Sequence, residues 1–351
     1  MDRWRDKRYA GDLEQVESAQ TWLPPETVNL VVHHAPCLDG AVAAALGTIA
    51  TNAFTVGIPA GAKPAVWHSL FRKYARGRCV LVVDVAPPME ALDAFQHADK
   101  VAVLDHHSSS QLALADTPGC FFGSEMSGAS LALHYFLGCL KTPVILPLIE
   151  CVEDSDVWRN CGGAMRNIFC SLALTLDRYA PGKTSKSAQA EALRTLLAPM
   201  QRGQHVTLMG TPIDWGTIVR GADWARNAVN LTAGCLMQTV RVVHLPETST
   251  FPSARYPPPA VFVIQAKRHI GAAEHLAMSE VAEKLGSSRN IPVVFITRLT
   301  DEALVCTVRS RATCKIHALV IAASCGGGGH THAAGMRIEH CHPWAKVMCE
   351  Y

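Results

Sequence analysis

Residues 28–50 read VNLVVHHAPCLDGAVAAALGTIA, and this stretch decides the architecture. Val28, Leu30, Val31 and Val32 make an apolar, largely β-branched run without a regular polar alternation, which predicts a strand buried on both faces. The run ends in His33 and His34, turns through PCLDG, and continues into small apolar residues that predict a helix. The same unit recurs outward along the chain. FTVGIP (54–59), CVLVVDV (79–85) and KVAVLDHH (100–107) predict three more strands, with PPMEALDAF (87–95) and SGASLALHYFLGCL (127–140) as helices. Strands of this kind separated by helices are the mark of an α/β parallel sheet covered on both faces. In such sheets ligands gather at the carboxyl ends of the strands. Three of these four strands end in ionisable residues: His33 and His34, then Asp84, then Asp105, His106 and His107.

Farther on, AEALRTLLAPM (190–200) and WARNAVNLTAGCLMQTV (224–240) predict helices, and LPETSTFPSARYPPP (245–259) packs five prolines into a joint. Beyond it AVFVIQA, IPVVFIT and ALVCTVRS predict strands, and EHLAMSEVAEKL and CKIHALVIAA predict helices, which together make a smaller second α/β domain. The expected organisation is an N-terminal arm over 1–27, a catalytic domain over 28–185, a helical connector and linker over 186–255, and a substrate-binding domain over 256–351.

Composition bounds the function. Of 351 residues, 49% are hydrophobic and 18% charged, which excludes a disordered or extended charged chain. The formal net charge of +2 does not imply a general nucleic-acid coat protein. No apolar run reaches the roughly 18 residues that cross a bilayer, so no membrane partner is expected. From Tyr256 on there are ten Lys/Arg and seven Asp/Glu, the sign expected of a domain that holds an anion. Thirteen cysteines, an odd number with no CxxC pair, point to reduced thiols in an intracellular compartment, whether cytoplasm or organelle matrix. The N-terminus lacks an apolar signal core and carries acids among its arginines.

Five elements carry candidate chemistry. His34, Cys37 and Asp39 surround the first strand-to-helix turn. Asp84 ends a wholly apolar strand, where an acid either caps the next helix or does chemistry. Asp105, His106 and His107 end the fourth strand. VEDSDVW (152–158) brings acids after an apolar helix. These segments offer a mixed imidazole and carboxylate set suited to Mn²⁺, Zn²⁺ or Fe²⁺. The fifth, CGGGGHTHAAG (325–335), bares backbone N–H groups able to cradle a phosphate, with Arg309 as a natural phosphate fork. Trp158 either stacks a base or packs in the core.

In order and spacing, HHAPCLDG, VVDVAP, LDHHSS, VEDSDVW and GGGGHTHAAG resemble the DHH phosphoesterase superfamily, whose members join a DHH domain to a C-terminal DHH-associated domain. The match covers about residues 28–160 and 260–340. The resemblance implies His34, Asp39, Asp84, His106 and Asp154 as metal ligands, with Asp84 bridging. It also implies His107 as a substrate-facing acid or hydrogen-bond donor beside Asp105. Arg309, Gly326, Gly327, Gly328, Gly329 and His330 would hold a phosphate or terminal nucleotide. Where many members have a second aspartate in the first motif this chain has Cys37, like a subset with a His-x-Pro-Cys-x-Asp-Gly pattern. Mn²⁺ is the expected ion, with Zn²⁺ or Fe²⁺ as alternatives because a thiolate is soft, and one or two ions are expected. The implied function is a metal-dependent phosphodiesterase or phosphomonoesterase, of nano-RNase, exonuclease or nucleoside bisphosphate phosphatase type. Its substrates would be small nucleotides or short single-stranded oligonucleotides. The alternative is a catalytically weak member that binds nucleic acid or serves an assembly.

Overall fold

A computed structural model describes residues 4, 6–35, 37–140, 146–157, 171–173, 206–208, 211–213, 220–246, 248, 251, 260–265 and 272–349. The chain divides into two compact units, Met1–Asp223 and Trp224–Tyr351. Trp158, the 190–200 helix and most of the proline-rich joint lie outside the described residues.

In the first unit, α1 (Ala10–Trp22) precedes β1 (Val28–His34), α2 (Leu38–Thr51), β2 (Phe54–Ile58), α3 (Pro64–Tyr74) and β3 (Cys79–Val83). Then come a 3₁₀ segment (Met89–His97), β4 (Lys100–Asp105), α4 (Ser108–Leu114), β5 (Cys120–Phe122), α5 (Gly128–Phe136) and α6 (Leu146–Asp156). A short hairpin pairs β6 (Val206–Leu208) with β7 (Thr211–Ile213). The five strands β1 to β5 form one parallel sheet in the order β2-β1-β3-β4-β5. The chain reverses direction across the sheet between β1 and β3, so the crevice at the ends of those two strands is the natural ligand position.

The strands are apolar throughout because both faces are covered. Val31, Leu81, Val83, Ala102 and Leu104 join one core with α1, α2, α5 and α6. Leu30, Val32, Val80, Val82 and Val103 join another with α3 and the 3₁₀ segment. Each such side chain, fully buried, contributes roughly 1.5–3 kcal/mol. Small residues let α2 lie close on β1: a Cβ on Gly47 would stand 2.8 Å from Val31 Cγ2. The 87–95 stretch, expected to be α-helical, is 3₁₀, with Ala91 N–H donating to Pro88 O. The 1–27 segment, expected as an arm, is part of the core: Trp4, Tyr9, Val16, Ala19 and Leu23 are all buried there. Val16, Ala19 and Leu23, three and four residues apart, lie on one face along α1 and at its C-terminal end.

The second unit holds α7 (Ala222–Met237, all but its first two residues), β8 (Arg241–His244), β9 (Ala260–Gln265), α8 (Ala272–Arg289), β10 (Val293–Leu299) and β11 (Ala303–Arg309). It continues with α9 (Ala318–Ala323), β12 (Gly328–Gly329), β13 (Ala333–Glu339) and α10 (Pro343–Cys349). Its mixed sheet runs β12-β13-β11-β10-β9-β8. The 314–323 stretch begins its helix only after His317, since residues 314–317 form the turn that leads into it. The glycine run is a tight hairpin against β13. Gly326 has φ +69°, a backbone conformation that favours glycine, and a Cβ on Gly327 would stand 2.2 Å from Gly335 O, so that position has no room for a side chain. Arg309 ends β11 opposite Ala333, is 8% exposed, and donates to its neighbour Val308 O at 3.2 Å.

Candidate metal centre

The carboxyl ends of β1, β3 and β4 lie side by side, and the residues just past them converge. Asp84 follows β3 and has φ +59°, a left-handed conformation that costs a non-glycine residue roughly 1 kcal/mol or more. Its carboxylate is 1% exposed and accepts from His106 Nε2 at 3.0 Å, with His34 Nδ1 at 3.5 Å. His106 Nε2 also lies 3.3 Å from Asp156 Oδ2 and 3.7 Å from Asp39 Oδ2. Asp39, in the first turn of α2, is buried and accepts Ala129 N–H at 2.9 Å from the start of α5. Two glycines make room for this packing. A Cβ on Gly40 would stand 2.4 Å from His34 O, and one on Gly128 would stand 2.5 Å from Asp84 Cβ and 2.8 Å from Asp39 Oδ2.

Asp105 plays a different part. Its Oδ1 accepts His107 Nδ1–H at 2.7 Å and His106 N–H at 2.8 Å, so it fixes the turn and the orientation of the His107 ring. His33 points into the sheet core, wholly buried, and donates Nδ1–H to His34 O at 2.9 Å. Burial holds its pKa down at about 4. His34 rather than His33 therefore faces the acids.

The electrostatics are those of a crowded anionic site. Burial pushes the Asp39 carboxyl well up, and Asp84 and Asp156 add to the rise. Burial opposes ionisation of Asp84 too, yet hydrogen bonds from His106 and His34 and their charge hold it well below the usual range. For His106, desolvation is outweighed by Asp156 and Asp84, which raise it well above an ordinary imidazole. His107 is likewise raised, against its burial, by Asp105. The Cys37 thiol is pushed well up by burial and then by Asp84, Asp156 and Asp39.

Donor atoms of His34, Cys37 and Asp84 lie within 4.8 Å of one another, and so do those of Asp39, His106 and Asp156. Asp84 Oδ1, bonded to His106, links the two groups. Asp39 Oδ2 is buried without a hydrogen-bond partner and Asp84 Oδ2 is buried with the His34 ring 3.5 Å away, a costly state for two carboxylates that a divalent cation would relieve. The donor set of imidazole, carboxylate and one thiol fits such a cation. Asp154, expected as the last ligand, is buried but stands in neither group; the acid that does is Asp156. Two residues along a helix rotate a side chain by about 200°, so α6 can present only one of this pair to His106. Gly128 and Ala129 were not singled out from the sequence, although Ser127 capping α5 through Ser130 N–H is a legible helix start.

Comparison with known proteins bears on the fold. Residues 264–346 match the DHHA1 domain family. A DHH domain described as a member of the S1p family of ribosomal proteins is similar at 12% identity, over 98% of this chain and 92% of its own, with a TM-score of 0.57. RecJ from Thermus thermophilus in complex with Mn²⁺ is similar at 16% identity, over 96% of this chain and 53% of its own, with a TM-score of 0.49. A pGpG-specific phosphodiesterase from Vibrio cholerae, PggH, is similar at 12% identity, over 89% and 93%, with a TM-score of 0.45. No curated protein matches in sequence. The fold is thus a DHH-type α/β domain followed by a DHHA1 domain. The family match is to the DHHA1 domain over residues 264–346, and the likeness to the DHH-domain structure is one of fold.

Proposed function

We propose that this protein is a metal-dependent phosphoesterase acting on small nucleotides or short single-stranded oligonucleotides. The observation that carries the reading is the pair of donor groups, linked through Asp84, at the switch point of the parallel sheet. His34, Cys37 and Asp84 would hold one ion, and Asp39, His106 and Asp156 a second. When bound, the ions would supply Lewis acidity to a phosphoryl oxygen and lower the pKa of water. Because Asp105 takes Nδ1–H of His107 and raises its pKa, His107 retains a proton nearer neutral pH than a free imidazole does. With Nδ1–H held by Asp105, its Nε2–H would be the proton offered to a phosphoryl or leaving oxygen. In the second unit, Arg309 and the Gly326, Gly327, Gly328, Gly329 and His330 hairpin would hold the phosphate or terminal nucleotide, Arg309 as a two-pronged donor.

Mn²⁺ suits the Asp39, His106 and Asp156 group, whereas Cys37 softens the other toward Zn²⁺ or Fe²⁺. A cation ligated there must displace the thiol proton, which burial and three carboxylates hold in place. Cys37→Asp should accordingly move metal preference toward Mn²⁺, read by metal analysis after competitive loading. An unchanged metal profile would mean that Cys37 only packs. Cys37 also supports the second reading, a catalytically weak member that binds nucleic acid or serves an assembly. We place the protein in a reducing intracellular compartment, a reading supported by eleven free thiols among the described residues.

The deciding experiment is metal analysis of the purified chain with a hydrolysis screen of dinucleotides, short RNAs and nucleoside bisphosphates. Arg309→Ala and His330→Ala should keep the metal and raise KM about 10- to 100-fold, the worth of one charge-assisted contact of roughly 1.5–3 kcal/mol. Their activity should also depend less on salt. Loss of metal in either variant, or no kinetic change in both, would show that the two units do not divide the work this way. Binding of short oligonucleotides without turnover of any substrate would favour the second reading.

A further inference from the structure

The described residues of the N-terminal segment supply none of the metal donors, yet they reach α6 and the loop leading into α5, two of the elements that bring site residues from outside the sheet. Asp12, on α1 and 4% exposed, accepts three backbone N–H groups: Ser124 at 2.9 Å, Glu125 at 2.8 Å and Met126 at 2.6 Å. Those three residues belong to the loop between β5 and α5. Its first residue, Gly123, donates N–H to Asp105 O at 3.0 Å, and a Cβ there would stand 2.8 Å from the Asp12 carboxylate. The loop runs directly into Ser127, Gly128 and Ala129, the last donating to Asp39 and the glycine lying against Asp84. At the other end of the segment, Trp4 Nε1–H and the Tyr9 hydroxyl donate to Glu153 at 2.9 and 3.1 Å. Glu153 is completely buried on α6, three residues before Asp156.

We propose that Asp12, together with Trp4 and Tyr9 acting through Glu153, are positioning residues of the metal centre. Asp12 sets the loop that aims Ala129 N–H and Gly128 at Asp39 and Asp84. The Trp4 and Tyr9 contacts set the rotation of α6 that turns Asp156 toward His106. Three charge-assisted bonds from one carboxylate to consecutive amides define the loop far more tightly than packing alone. Supporting groups of this kind typically govern metal affinity by about 10- to 100-fold. The inference rests on the metal-centre reading above, and its readout is metal affinity rather than turnover.

The test uses the full chain, titrated with Mn²⁺ and followed by electron paramagnetic resonance of the free ion. Asp12→Asn keeps the side-chain size but turns one acceptor oxygen into a donor facing the loop amides. Its Kd for Mn²⁺ should rise about 10- to 100-fold, while KM at saturating Mn²⁺ stays that of the parent because Asp12 touches no substrate. Tyr9→Phe removes a single donor to Glu153 and retains the ring, so it serves where Asp12→Asn does not fold. It should raise Kd about three- to tenfold, the worth of one hydrogen bond. Val16→Ala, buried on the same helix, loses packing without touching the loop or Glu153 and should leave Kd unchanged. Parental affinity in both Asp12→Asn and Tyr9→Phe, or an equal loss in Val16→Ala, would overturn the proposal. A parent chain that binds Mn²⁺ but hydrolyses nothing would sink the phosphoesterase reading alone, leaving the affinities to decide this one. A parent that binds no Mn²⁺ would overturn both.

Discussion

Asp84→Asn should strip the centre of bound metal and lower kcat/KM by about 10³-fold or more, a loss of about 4 kcal/mol in transition-state stabilisation. Asparagine is the informative replacement because residue 84 has φ +59°, and asparagine enters the left-handed region more readily than most residues. The backbone past β3 is then retained, and the far-UV circular dichroism of the metal-free chain should match the parent. What disappears is the charge that both His34 and His106 face, at 3.5 and 3.0 Å. An amide can offer one neutral oxygen to a cation, but it cannot serve both donor groups at once. Near-parental turnover with two ions bound would rule out a shared Asp84.

The second large effect is expected from a residue with no side chain. In Gly128→Ala, the new methyl would sit 2.5 Å from Asp84 Cβ and 2.8 Å from Asp39 Oδ2. The first of these neighbours is fixed to the backbone and cannot swing away. Helix propensity favours alanine over glycine by about 1 kcal/mol, so the substitution would help α5 locally while displacing the two carboxylates. Overpacking of this sort costs about 1–3 kcal/mol, and a shift of about 1 Å at a reacting centre can cost about 10²-fold in rate. We expect a folded protein with weakened metal binding and kcat/KM reduced about 10²-fold. Parental kinetics and metal content would mean that the loop yields without disturbing the acids.

Much of this centre was legible because strand ends leave a plain mark in sequence. A short β-branched apolar run that stops at an ionisable residue reads as a buried strand with that residue at its end, and His34, Asp84, Asp105, His106 and His107 stand at or just past the ends of β1, β3 and β4. Helical residues are less legible. VEDSDVW offers several acids on one helix, and the rotation of α6 about its axis chooses among them. That rotation depends on Glu153 meeting Trp4 and Tyr9 from about 145 residues away in the chain.

The sequence by itself determined the α/β class, the parallel sheet and the strand-end donors, because periodicity and strand termination are local properties of the chain. Tertiary structure alone decided that Asp156 rather than Asp154 faces His106, that Gly128 must be a glycine, and that the N-terminal segment belongs to the core. Each of those is a contact between residues remote in sequence, set by how helices pack over the sheet. No local pattern encodes the distance from a Gly128 methyl to Asp84, or the three amides gathered by Asp12.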